Sequence, residues 1–152
     1  MKLKYLVIVL LAFFATSCES FRVPSYDQVA YQKTIEIKVE ADYLLNNSTE
    51  NYSTYEKDVD QLKKQIAFIL EYEKNRPNNQ ISYSMWQLIS DENRNLLIGY
   101  FELWKKNNKL SKEFSSEVKK QMNEVFSLLL KYEALKTKEN KSKLLELINS
   151  NK

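Results

Sequence analysis

SKEFSSEVKKQMNEVFSLLLKY, residues 111–132, decides the fold. Phe114, Val118, Met122, Val125, Leu129 and Tyr132 recur in it every three or four residues. That spacing gathers them on one side of a helix and leaves Lys, Glu and Asn on the other. The pattern starts near Ser111, after the polar stretch of residues 105–109. The stretch therefore reads as a long amphipathic helix. One such helix cannot bury its apolar stripe alone, so comparable partners are required.

They are found on both sides. Downstream, Leu144, Leu145, Leu147 and Ile148 mark a shorter helix over residues 138–149. Upstream, residues 82–106 carry Met85, Leu88, Ile89, Leu96, Leu97, Tyr100, Phe101 and Trp104 at helical spacing. Ser90, Asp91, Glu92 and Asn93 interrupt that pattern, and a kink or short break is expected, because these side chains compete with the helical backbone for hydrogen bonds. Gly99 lies beyond the interruption, where it costs about 1 kcal/mol against Ala. Close contact with another helix is the expected compensation.

Val59, Leu62, Ile66, Ile69 and Glu73 define one face of a further helix, opened by a Ser53/Glu56 capping box and closed before Pro77. Four of those five positions are apolar; the fifth is a carboxylate. The first helix, residues 26–46, carries Ala30, Thr34, Ile37, Ala41 and Leu44 behind a Ser25/Gln28 capping box. Asn46, Asn47, Ser48 and Thr49 then read as a loop. The fold expected is all-α: an up-and-down bundle of four long helices with a short C-terminal fifth, filling residues 25–152 as one domain.

Composition agrees. One Gly and two Pro in 152 residues are too few for the tight hairpins of a many-stranded sheet. The chain has no His and one Cys. That removes Ser-His-Asp and Cys-His catalysis, HExxH zinc sites and cysteine-cluster metal sites. The net charge is +3, with Lys2 and Lys4 in the N-terminal segment. The remainder is close to balanced, which argues against nucleic acid as a partner.

Residues 1–18 read MKLKYLVIVLLAFFATSC. Basic Lys2 and Lys4 precede an apolar run from Tyr5 to Phe14, and small residues lead into the chain's one cysteine. The run is shorter than the roughly 20 residues a spanning helix needs and reads as a signal peptide, residues 1–17. Ala15-Thr16-Ser17-Cys18 resembles the lipobox of bacterial lipoproteins, with Ala15 where Leu is commonest. The resemblance implies cleavage before Cys18 and a diacylglyceryl group on its thiol, with a fatty acyl group on the new amine; no other cofactor is expected. Such chains together give durable membrane attachment. Glu19 is not the Asp that retains enterobacterial lipoproteins in the inner membrane, and the resemblance favours the outer membrane. After the lipidated Cys18, residues 19–24 then form a tether of about 20 Å at full extension, so that 18–24 precede the folded domain.

Arg22, Arg76 and Arg94 are the only arginines. Arg76 adjoins Pro77, Asn78 and Asn79; Arg94 adjoins Asn95; Trp86 lies between. One reading makes Arg76, Asn78, Asn79, Arg94 and Asn95 a polar pocket for a carboxylate or sugar, with Trp86 as a stacking wall. The other has these residues closing helix ends, with Arg94 paired to Asp91 or to a carboxylate of the preceding helix. Residues 31–41, 76–81 and 94–97 also resemble segments of small uncharacterised bacterial lipoproteins, a likeness over about residues 26–130 that implies a helical fold and export. The function expected is a non-catalytic binding or scaffold module, held on the envelope membrane and engaging an envelope protein. The alternative is a binder of a small ligand or cell-wall fragment in a pocket lined by Trp86, Tyr100 and an arginine. An enzyme would instead need two carboxylates converging in a cleft.

Overall fold

The computed structural model describes residues 24–151. The expected signal segment, Cys18 and all of the tether but Pro24 lie outside the described residues. Among the described residues six helices follow one another: α1 (Gln28–Asn46), α2 (Tyr52–Lys74), α3 (Gln80–Ser90), α4 (Leu97–Asn107), α5 (Lys112–Leu135) and α6 (Lys138–Ser150). No strand occurs among the described residues, and the all-α bundle is as expected.

Packing joins helices that are neighbours in the chain and others far apart in it. α1 lies against α2 and α5, α2 against α3 and α4, and α6 against α5 and α3. Val59, Leu62, Ile66 and Ile69 of α2 are buried, as are Val118, Met122, Val125, Leu129 and Tyr132 of α5. Phe114 is partly exposed and turns its ring edge to Tyr100. Ser111 caps α5, its Oγ accepting from the Phe114 N–H at 3.2 Å. α6 buries Leu144 and Ile148 where it packs on α5 and α3.

The helix expected over residues 82–106 is two helices. About 100° per residue sets Met85 and Phe101 about 160° apart on a continuous helix, yet both are buried. Breaking the chain at residues 91–96 lets each half turn its own stripe inward. Asp91 shapes the break by accepting from the Asn93 N–H at 2.9 Å, a turn that Asp favours. Gly99 serves this break rather than a helix–helix contact. A Cβ there would stand 1.8 Å from the Arg94 carbonyl oxygen.

Two helix starts differ from expectation. α1 is capped by Asp27, whose Oδ1 accepts from the Ala30 N–H at 2.8 Å; a carboxylate there also meets the positive helix end. α2 begins one residue before Ser53, because the Tyr52 N–H bonds the Asn108 carbonyl at 2.8 Å. That bond belongs to the far end of the bundle. There the Leu110 N–H donates to the Ser48 carbonyl (2.9 Å), the Ser48 and Ser115 hydroxyls bond one another (2.8 Å), and Trp104 Nε1 donates to the Glu50 carbonyl (2.9 Å). The near end gathers Pro24, the start of α1, the α2–α3 turn and the α5–α6 junction.

Candidate functional site

The near end holds a buried set of charges. Glu73 is the carboxylate in the apolar register of α2, and it is 1% exposed. Arg76 Nη1 donates to both Glu73 oxygens at 3.0 Å. Its Nε lies 3.5 Å from Asp27 Oδ2, and its Nη2 reaches the Ser25 carbonyl at 3.5 Å. From the end of α5 comes Glu133, fully buried. Glu133 accepts from Ser82 Oγ of α3 and pairs with Lys136 Nζ at 2.6 Å. Arg76 Nη1 stands 3.9 Å from Glu133 Oε2, joining the two halves.

Local structure explains the convergence. Glu73 lies one helical turn past Ile69 in α2, so its side chain points where the core residues point. Lys136 has φ 48° and ends α5 in the left-handed conformation, its N–H bonding the Tyr132 carbonyl at 2.8 Å. That bend folds its side chain back over the Tyr132 ring, 4.4 Å from the centroid, and onto Glu133.

Burial governs the proton affinities. Desolvation, with Glu133 adding to it, pushes the Glu73 carboxyl up to about 7 against the pull of Arg76 and Lys136. Burial lowers the Lys136 amine despite Glu133 beside it. Burial, then Glu133, pushes the Tyr132 phenol up to about 12. Asp27 is opposed by burial, but the Ala30 N–H, the Tyr72 hydroxyl and Arg76 hold its carboxyl below the usual range.

The expected pocket is not assembled. Trp86 is fully buried against Phe126, their centroids 6.3 Å apart, so it is a core residue and not a stacking wall. Tyr100 is 7% exposed and donates to Gln121 Oε1 at 2.6 Å. Arg76 and Arg94 flank opposite ends of α3, roughly 16 Å of helix at 1.5 Å per residue. Arg94 donates to Asp91 Oδ2 at 3.4 Å and to the Asn151 carbonyl at 2.7 Å. Its partner is the Asp91 of the helix-end reading. Asn78 supplies the left-handed residue of the α2–α3 turn, φ 60°. Asn79 is 1% exposed at the N-cap of α3, with neither amide atom hydrogen-bonded among the described residues. Asn95 contributes only its carbonyl, accepting from Gln121 Nε2 at 3.4 Å.

Two surface features stand apart from this end. A cleft of about 380 Å³ opens between the end of α1 and the start of α5. On α1, Ile35, Val39 and Tyr43 lie four residues apart on the side away from the core, with Val39 63% exposed. That helix is therefore apolar on two faces, and only one meets the bundle.

Among the described residues, no group of His, Cys, Asp and Glu could hold a metal ion. No helix there is long and apolar enough to cross a membrane. Comparison of the chain with protein-family models, with curated proteins and with solved structures finds no match.

Proposed function

We propose that the chain is a lipid-anchored, non-catalytic module of the bacterial cell envelope that binds an envelope protein. The observation that carries this reading is MKLKYLVIVLLAFFATSC, which ends on the one cysteine of the chain. Acyl chains on Cys18 would hold the near end of the bundle against the membrane, since Pro24 is buried there and only a short tether separates them. The outer membrane is the proposed address.

The body supports an adaptor better than an enzyme. Glu73 and Glu133 do converge, but both are sealed from solvent and already bonded to Arg76, Lys136 and Ser82. A substrate would have to displace that network to reach either oxygen. The outer face of α1, with Ile35, Val39 and Tyr43, offers a partner protein an apolar strip instead.

Radiolabelled palmitate and mass spectrometry of the native protein test the anchor. The expected product begins at Cys18, carries acyl chains and pellets with membranes. Cys18→Ser should lose the label and leave the membrane fraction. An unmodified thiol, or an N-terminus other than Cys18, overturns the reading.

A further inference from the structure

We infer that the cleft between the end of α1 and the start of α5 is a binding site for a small phosphate-bearing ligand. Leu45, Asn46 and Thr49 form one wall, and Lys112, Ser115, Ser116 and Lys119 form the other. The second wall is a single helical face: i, i+3, i+4 and i+7. It carries two ammonium groups and the Ser116 hydroxyl; the Ser115 hydroxyl, behind them, is bonded to Ser48. Glu113 and Glu117, the acidic residues of the same turns, fall about 100° or more away from the centre of that face, and no carboxylate lines the cleft. Neither Lys112 nor Lys119 is paired with a carboxylate among the described residues. Lys119 Nζ is instead held by Asn46 Oδ1 at 2.5 Å, which orients it across the opening.

The back of the cleft is hydrogen-bonded. Ser48 and Ser115 are both buried and bonded to one another at 2.8 Å, and Ser48 also bonds the Leu45 carbonyl. The segment that follows α1 is thereby tied to α5 behind the cleft. Two lysines with hydroxyl and amide donors suit a tetrahedral, multiply charged oxyanion, which ammonium groups bind as point charges. A planar carboxylate would be better served by the fork of an arginine, and none lines this cleft. Leu45 gives the ligand's remainder an apolar contact. The inference goes beyond the adaptor reading and does not depend on the anchor, because the cleft lies at the opposite end of the bundle from Pro24.

The test is a titration of the full chain in neutral detergent micelles with inorganic pyrophosphate, followed by amide NMR. Acetate at matched ionic strength is the control. Saturable shifts are expected at Asn46, Thr49, Ser115, Ser116 and Lys119. Lys112→Ala and Lys119→Ala should each weaken binding about tenfold, roughly 1.4 kcal/mol, while the off-face Lys120→Ala leaves it unchanged. Lys112 and Lys120 are exposed and Lys119 is partly so, and unchanged spectra of the free variants establish that the fold is retained. Shifts scattered over surface lysines, an equal response to acetate, no saturation, or an equal loss with Lys120→Ala would each overturn the proposal.

Discussion

Replacing Glu73 with Gln should stabilise the protein above neutral pH and leave it nearly unchanged in mild acid. The native carboxyl is pushed up to about 7, against an ordinary value of 4.5. Below pH 4.5 the group is protonated folded or unfolded and favours neither state. Between 4.5 and 7 the unfolded chain releases the proton while the native state keeps it, so stability falls as pH rises. Above 7 both forms are ionised and the loss is complete. At about 1.4 kcal/mol per pKa unit, the full loss is about 3 kcal/mol. Glu73 is almost wholly buried, so solvent screening reduces this little. The attraction of Arg76 and Lys136 is already contained in that value; burial and Glu133 outweigh it. Gln keeps the shape without the charge, and Arg76 retains Asp27, Glu133 and the Ser25 carbonyl. Urea unfolding of both proteins from pH 4.5 to 8.5 should give curves that coincide at the acid end. They should diverge by up to about 3 kcal/mol at the alkaline end, with the variant the more stable. A gap that does not change with pH, or a variant less stable at pH 8, refutes the reasoning.

Gly99→Ala should cost about 1–3 kcal/mol, the range for forced overpacking, because the new Cβ would overlap a backbone oxygen rather than a movable side chain. Thermal unfolding measures it, and a neutral or stabilising result would show that residues 91–96 shift freely. Trp104→Phe should be costlier than Trp86→Phe by about 1 kcal/mol. Trp104 donates to the Glu50 carbonyl, whereas Trp86 Nε1 has no hydrogen-bond partner among the described residues. Equal losses in urea unfolding would mean that the Glu50 bond contributes nothing.

The α5 stripe and its start near Ser111 were legible because they are local: spacing fixes a face, and the preceding polar stretch marks the start; that the Ser111 hydroxyl caps the helix came from the structure. The division of residues 82–106 was half legible. Ser90 to Asn93 announce an interruption, but its extent follows from the phase of Met85 against Phe101, and both must reach one core. Gly99 was read as a packing glycine; its constraint is the Arg94 carbonyl of the neighbouring loop, which no periodicity reveals. Trp86 fell between two arginines in the sequence, but helical geometry sets it beside Met85 and Ile89 on the inward face. The register of Glu73 among Val59, Leu62, Ile66 and Ile69 was the one local sign of the buried charges. Its partners Glu133 and Lys136 come from a helix distant in sequence, so the cluster could not be read from α2 alone.

That cluster lies where order is hardest to secure by apolar packing. At the near end, α1 begins, α2 and α5 stop, and α3 starts, so each helix offers fewer core residues than at its middle. Apolar side chains there would tolerate slippage of one helix along another, since burial has no direction. Glu73, Arg76, Glu133, Lys136 and Ser82 tolerate it poorly. A shift of one turn in either α2 or α5 would leave a buried charge without its partner, at a cost of about 3–5 kcal/mol. The correctly paired set contributes little net stability, as the raised Glu73 and lowered Lys136 affinities imply. Its effect is to make other registers worse. Arg76 extends the same discrimination to Asp27 and Ser25, the residues through which α1 continues toward the proposed tether. The charges thus fix where the N-terminal end of the described chain meets the bundle, and they do so by penalising alternatives more than by favouring the native arrangement.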